Sequence, residues 1–288
     1  MAREFSSVGV VGLGTMGTGI TEVFARSGID VVAVEVNEAA LERGRAALTG
    51  STDRAVARGK LTPDERDGLL ARVRFAAGLD ALADADLVIE AVPEDLRLKQ
   101  GVFRDAEAAA PEHAVLATNT SSLSVSAISS ALKRPGRVVG MHFFNPPHLL
   151  KLLEVFRGDR TAPETLAVAV AAARRMGKEP IVVKDSPGFA SSRLGLVLGL
   201  EAIRMVEAGV ASAEDIDKAM ELGYNHPMGP LKLTDLVGLD VRLAIAKYLH
   251  QELASEAFRP PALLERMVAE GRLGRKTGQG FYAYPDQR

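Results

Sequence analysis

The segment from Ser7 to Glu35 restricts this chain more than any other, because it spells one kind of supersecondary unit. Ser7-Val8-Gly9-Val10-Val11-Gly12-Leu13 reads as a buried first strand, Ile20 to Ser27 continues a helix, and Gly12, Gly14 and Gly17 lie between them. Val31-Val32-Ala33-Val34-Glu35 supplies a second strand that ends in an acid. Each glycine has its own physical task. One makes the tight turn, one lets a pyrophosphate approach the backbone, and one lets helix and strand pack closely. The run Gly12, Leu13, Gly14, Thr15, Met16 and Gly17 is therefore the candidate phosphate-binding turn, with the helix amino terminus facing the phosphates. Glu35, twenty-three positions after Gly12, is placed to accept hydrogen bonds from ribose hydroxyls and to repel a 2′-phosphate, which favours NAD over NADP. A glycine turn with no ligand is the plainer alternative, and the completeness of the unit weighs against it.

The pattern continues beyond this unit. A helix is expected from Glu38 to about Arg58, and Leu61-Thr62-Pro63-Asp64-Glu65 reads as a cap and a new start. Arg54, Arg58 and Lys60 cluster at the break, either as a solvated helix face or as a grip on an anionic substrate handle. Asp86 to Val92 and Val115 to Thr118 read as further strands whose ends open on one crevice. The first exit carries Glu94 and Lys99; the second carries Asn119-Thr120-Ser121-Ser122, which a cap or turn explains as well as a site does. Val138 to Met141 reads as a short strand with His142 at its carboxyl end. A histidine there is a candidate acid/base, and Glu154, on a strand expected within Lys151 to Phe156, is a candidate orienting carboxylate. A helix over Pro163 to Met176 and a strand at Ile181-Val182-Val183 complete the sheet. From Asp185-Ser186-Pro187-Gly188 onward the periodicity is helical. The expected fold is α/β: a Rossmann-type, mostly parallel sheet domain over 1–184, then a smaller all-α domain over 185–288. Leu194, Val197, Leu198 and Ile203 suggest more apolar surface than the second domain can bury alone, and so a homodimer.

Composition excludes several classes. The 288 residues include no cysteine, which removes disulfides, thiolate catalysis and sulfur-ligated metals and suits a reducing cytoplasm. A formal net charge of −2 offers no basic field for nucleic acid. Neither H-E-x-x-H nor comparable ligand spacing occurs, so no metal site is expected. In Leu273-Gly274-Arg275-Lys276-Thr277 an arginine precedes the lysine where a phosphate-binding P-loop requires glycine. Met1 to Ser7 has no apolar signal core, and Leu194 to Leu200, broken by glycines and followed by Glu201, does not read as a membrane span.

Taken together, Gly12-x-Gly14-x-x-Gly17, Asn119-Thr120-Ser121-Ser122-Leu123, His142-Phe143-Phe144-Asn145-Pro146, Pro187-Gly188-Phe189, His226-Pro227-Met228-Gly229-Pro230 and Gly274-Arg275-Lys276-Thr277-Gly278-Gln279-Gly280-Phe281-Tyr282 resemble the L-3-hydroxyacyl-CoA dehydrogenases. The match runs along essentially the entire chain, and its compact length is most similar to the bacterial 3-hydroxybutyryl-CoA dehydrogenases. The resemblance implies an NAD-binding amino-terminal domain, a helical dimerising domain, and an acyl-CoA substrate. By position it makes His142 the catalytic base, Glu154 its paired acid and Ser121 a contact to the substrate's 3-oxygen. It sets Glu94, Lys99, Asn119 and Asn145 around the nicotinamide and its ribose, and Lys276 on the cofactor. Lys60, and more loosely Arg54, fall where the family holds coenzyme A phosphates. One departure stands out: where the family has an asparagine before an arginine and lining the reaction centre, this chain has Ser192-Arg193. A serine is shorter and lacks the separate donor and acceptor of a carboxamide. The rival readings are a free-acid dehydrogenase of the same superfamily, such as an L-gulonate 3-dehydrogenase, and a non-catalytic NAD-binding protein, which has no need of a complete His142/Glu154 pair. A 3-hydroxyisobutyrate-type enzyme relies on a catalytic lysine instead.

Overall fold

The computed structural model describes residues 5–285, so the first four positions of the leader reading above lie outside the described residues. The chain divides into two compact units between Ser186 and Pro187, two residues past Lys184.

The first unit is an eight-stranded sheet flanked by helices. In chain order it runs β1 (Ser7–Val11), α1 (Thr15–Arg26), β2 (Asp30–Glu35), α2 (Glu38–Ala57), α3 (Pro63–Ala71), β3 (Val73–Ala77), β4 (Leu87–Glu90), α4 (Leu96–Ala109) and β5 (Val115–Thr118). α5 (Val125–Ser129), β6 (Val138–Phe143), β7 (Leu152–Arg157), α6 (Pro163–Arg175) and β8 (Glu179–Lys184) follow. The sheet order is β3-β2-β1-β4-β5-β6-β7-β8. The chain winds outward from β1 to β3, then returns to β4 on the other side of β1. That reversal opens a crevice at the carboxyl ends of β1 and β4. The first six strands are parallel, β7 is antiparallel to β6, and β8 is parallel to β7.

Apolar side chains from the central strands, among them Val8, Val10, Ile89, Ala117, Val139 and Met141, pack with Ile20 and Phe24 of α1 and with Ala169 and Ala172 of α6. Each fully buried Val, Ile, Met or Phe side chain among them contributes about 1.5–3 kcal/mol. β3 was not anticipated. It is an edge strand, only partly buried, and it carries Arg74 where a buried strand would be apolar. β6 is longer than expected, because pairing with antiparallel β7 carries it through Phe143. His142 is thus inside the strand rather than beyond its end.

The second unit contains α7 (Ser191–Glu207), α8 (Ala213–Gly223), α9 (Pro230–Val237), α10 (Leu239–Leu253) and α11 (Ala262–Ala269). Leu196, Leu200, Leu231, Leu249 and Leu264 form its core. Ile203 belongs to that core and not to a spare face, whereas Leu194 on the opposite side of α7 is 69% exposed. Asp235 is buried in α9 and accepts the N–H groups of Phe281 and Tyr282, each at 2.9 Å, and the Tyr284 hydroxyl at 3.0 Å. A Cβ at Gly280 would stand 2.0 Å from its Oδ1. The glycine-rich tail motif is therefore, in large part, a docking strap for a buried carboxylate. Among the described residues no helix is long and apolar enough to cross a membrane.

Candidate active site

The glycine turn has the geometry its spacing called for. Gly12 has φ +92°, in the region that favours glycine, and its N–H donates to Val34 at 2.9 Å. A Cβ on Gly17 would lie 1.7 Å from the Gly12 carbonyl oxygen, so only glycine lets α1 start so close to β1. Gly14 is the N-cap of α1, with no side-chain cap and no acid in the first turn. By contrast α2, α3 and α4 are capped by Asn37, by a Thr62/Glu65 box and by Asp95. The first-turn N–H groups of α1, at Thr15, Met16 and Gly17, have no intrahelical acceptor by construction and form an anion receptor. Glu35 stands beside them at the end of β2: its Oε1 accepts the Leu13 N–H at 2.6 Å and its Oε2 the Val36 N–H at 3.1 Å. An uncapped helix start, a turn with no side chain in the way and an adjacent carboxylate fit a dinucleotide. A cleft of about 510 Å³ adjoins the turn and brings Gly14, Thr15, Arg43, Arg54 and Asn145 together. Lys60 is on the exposed turn after α2 and does not line that cleft.

Below the crevice lies a charged cluster only half visible in the sequence. Lys99 of α4 is 1% exposed, and its ammonium meets Glu90 Oε1 at 2.6 Å, the Val92 carbonyl at 3.2 Å and Glu94 Oε2 at 3.3 Å. Three N–H groups meet three acceptors, so Lys99 acts through its neighbours. Glu90, at the end of β4, also accepts the Val92 N–H and the Thr118 hydroxyl, each at 2.7 Å. Burial pushes its carboxyl above the ordinary range against the pull of Lys99. Glu90 was missed as a site residue, although an acid closing the apolar run Leu87-Val88-Ile89 was the available signal.

Glu94 organises the serine/threonine segment. Its Oε1 accepts the Thr120 hydroxyl, the Ser121 N–H at 3.0 Å, and the Ser122 N–H and hydroxyl at 3.1 and 3.0 Å. Burial works to raise its carboxyl, but Thr120, Lys99 and Ser122 together hold it below the usual range. Ser124 caps α5. The cluster is thus a turn built around a carboxylate, and that turn presents Ser121 at the surface.

The acid/base pair follows from strand register. β6 and β7 are antiparallel with His142 directly opposite Glu154, so the two side chains share one face. His142 Nδ1 is 3.0 Å from Glu154 Oε2, and the carboxylate side chain is 0% exposed. With Nδ1–H donating to Glu154, the lone pair of the neutral ring is on Nε2. Phe144 packs on the imidazole with ring centroids 4.6 Å apart, and Phe156 at 6.0 Å. Asn119 ties β5 to β6 beside the pair, its Oδ1 accepting the Phe143 N–H at 2.9 Å.

Two candidates belong to the second unit. Ser192 lies in the first turn of α7. Lys276 is paired with Asp240, its Nζ 2.6 Å from Oδ1, and is 46% exposed. The lysine holds the Asp240 carboxyl below its ordinary range.

A phosphate-ready βαβ unit with a histidine–carboxylate pair on the same sheet defines a dinucleotide-dependent dehydrogenase. The comparisons narrow that class. Residues 7–186 match the model of the 3-hydroxyacyl-CoA dehydrogenase NAD binding domain, and residues 188–284 match that of the 3-hydroxyacyl-CoA dehydrogenase C-terminal domain. The chain belongs to the NAD-dependent 3-hydroxyacyl-CoA dehydrogenase family. It is 44% identical over 276 residues to a probable 3-hydroxybutyryl-CoA dehydrogenase of Deinococcus radiodurans, covering 96% of this chain and 99% of that one. A 3-hydroxybutyryl-CoA dehydrogenase of Mycobacterium tuberculosis is likewise 44% identical, over 99% of this chain and 100% of the relative. Among solved structures, (S)-3-hydroxybutyryl-CoA dehydrogenase from Ralstonia eutropha is similar with TM-score 0.94 and 41% identity, covering 98% and 100% of the two chains.

Proposed function

We propose that the protein interconverts an L-3-hydroxyacyl-CoA, short-chain and of the 3-hydroxybutyryl type, with its 3-oxoacyl-CoA. The observation that carries this reading is the His142–Glu154 pair, 3.0 Å apart across one strand ladder, in a chain of this family. NAD, when bound, supplies the redox chemistry by taking a hydride from the substrate's C3. His142 removes the hydroxyl proton through Nε2, and Glu154 stabilises the imidazolium that results. In the reducing direction the same histidine returns the proton. The buried position of Glu154 strengthens that electrostatic support, since solvent does not screen it.

Ser121 donates to the substrate's 3-oxygen from the turn that Glu94 holds. Ser192 is a second substrate contact, in the place of the family asparagine. Gly12, Leu13, Gly14, Thr15, Met16 and Gly17 receive the pyrophosphate, and Glu35 the adenosine ribose, which sets the preference for NAD over NADP. Glu94, Asn119 and Asn145 border the nicotinamide half, with Lys99 supporting Glu94 from beneath, and Lys276 is a further cofactor contact. Arg54 and Lys60 hold the phosphates of coenzyme A. The exposed apolar residues of the second unit, Leu194 foremost among them, support the reading that two copies associate.

The deciding experiment is a series of assays with NADH and NADPH on 3-oxoacyl-CoAs of increasing length and on free 3-oxo acids. Turnover of acetoacetyl-CoA with NADH, and none of the free acids, is expected. Turnover confined to free acids contradicts the proposal. Replacing Ser192 by alanine should lower kcat/KM about tenfold, the worth of one good hydrogen bond.

A further inference from the structure

Lys178 is a buried ammonium to which the proposed reaction gives no task. It is 7% exposed and sits between the end of α6 and the start of β8. Its root is fixed on both sides. Its own N–H donates to the Ala173 carbonyl at 2.9 Å, closing α6 over Gly177 at φ +68°, and the next N–H, that of Glu179, donates to the Lys151 carbonyl at 2.8 Å. Burial alone pushes the ammonium below the ordinary lysine range, and no carboxylate offsets that cost. Peptide dipoles do so instead. Nζ donates to the Pro147 carbonyl and, at 2.6 Å, to the Leu150 carbonyl, and the carboxyl end of α6 favours a cation beside it.

Both carbonyls belong to the connection between β6 and β7, residues 144–151, in which Pro147 is the only buried residue. A segment with so little apolar burial depends on its polar contacts for a fixed shape. Within it the Pro146 carbonyl accepts the N–H groups of Leu149 and Leu150 at 3.1 and 3.2 Å, a turn that leaves the Pro147 and Leu150 carbonyls to converge on Lys178. Pro147 also rests on α1: a Cβ at Gly19 would stand 2.8 Å from the Pro147 Cδ, so a side chain there would displace the ring. Gly19 is about one helical turn beyond Thr15 of the phosphate turn. The same connection lines the adjoining cleft with Asn145, Pro146, Pro147 and His148, together with Gly14 and Thr15.

We infer that Lys178 is a positioning residue for cofactor binding: by drawing two carbonyls onto one ammonium it holds the β6–β7 connection against α1 and so sets Asn145 at the cleft beside the phosphate turn. The inference rests on Asn145 being a cofactor contact, as proposed above. Lys178 touches neither cofactor nor substrate and acts through the connection alone. His142 and Glu154 do not depend on it in the same way, because they face each other across the paired strands on either side of the connection. Loss of the ammonium should therefore fall on cofactor affinity and spare proton transfer.

The test measures NADH Kd by fluorescence titration and kcat with acetoacetyl-CoA at saturating NADH. Lys178→Met should raise Kd about tenfold, the worth of one charge-assisted hydrogen bond. Its kcat should stay within about threefold of wild type, because strand register holds the acid/base pair. Lys178→Arg, which keeps the charge and can donate to both carbonyls, should recover most of the lost affinity. Asn145→Ala should weaken NADH about tenfold in the wild type but no more than about threefold in the Lys178→Met background, the non-additivity of two residues acting through one contact. If Lys178→Met does not fold, Lys178→Gln takes its place in the same cycle. An unchanged Kd in the lysine variant, a loss confined to kcat, or full additivity with Asn145→Ala overturns the inference. Wild-type affinity in Asn145→Ala alone sinks the cofactor contact and this inference with it, whereas weakened Asn145→Ala beside an unaffected lysine variant sinks this inference only.

Discussion

The two units treat buried charge in opposite ways. In the sheet unit, Lys99 is enclosed by Glu90, Glu94 and a carbonyl, and Glu154 faces His142. Lys178, also buried, donates to the carbonyls of Pro147 and Leu150. Every one of these charges is satisfied by a neighbour brought in by strand register, a helix start or a turn. In the helical unit Asp217 and Asp235 are satisfied as well, but Arg242, buried in α10, is not. The difference separates two uses of a buried ion. A closed network fixes geometry before a ligand arrives, while an unpartnered buried charge carries a desolvation cost.

Substitutions can break this contrast at either end. The largest effect is expected from Glu154→Gln, which removes the carboxylate that selects the His142 tautomer. Its kcat for 3-oxoacyl-CoA reduction should fall on the order of ten-thousandfold in steady-state assays, as when an orienting carboxylate is lost from a catalytic triad. Lys99→Met leaves Glu90 and Glu94 without their cation, and denaturant unfolding should show a loss of about 3–5 kcal/mol. Arg242→Met should do the reverse: replacing an unpaired buried guanidinium by an apolar side chain is expected to be neutral or to stabilise by about 1–4 kcal/mol. A strongly destabilised Arg242→Met protein would show that the arginine is satisfied after all and would dissolve the contrast. Glu35→Ala is the mildest. It should weaken NAD about tenfold in a fluorescence titration and narrow the preference over NADPH, with stability little changed.

The sheet unit was the more legible. β1, β2, β4 and β5 could be read because parallel strands covered on both faces are continuous apolar runs. The Thr62/Glu65 capping box was readable because both of its bonds are local. β3 was hidden because an edge strand need not be apolar. The His142–Glu154 pair was visible as two residue types, but its geometry depends on the antiparallel pairing of β6 with β7, which spacing alone does not specify. Lys99 could be picked out, but its burial could not, because it comes from a partner, Glu90, that looked like an ordinary strand end. In the helical unit the sequence suggested spare apolar surface on α7 and counted Ile203 within it, whereas Ile203 is 1% exposed. Arg242 was passed over although its place in the inward stripe of α10, with Leu239, Ala246 and Leu249, was there to be read.

Proton transfer at His142 is the central step, and kcat for NADH-dependent reduction of acetoacetyl-CoA by His142→Gln, with NADH affinity measured in parallel, tests it most directly. A fall of about two to four orders of magnitude in kcat with NADH affinity nearly unchanged is the predicted result. Turnover within about threefold of wild type, well short of what a positioned acid/base group contributes, would contradict it.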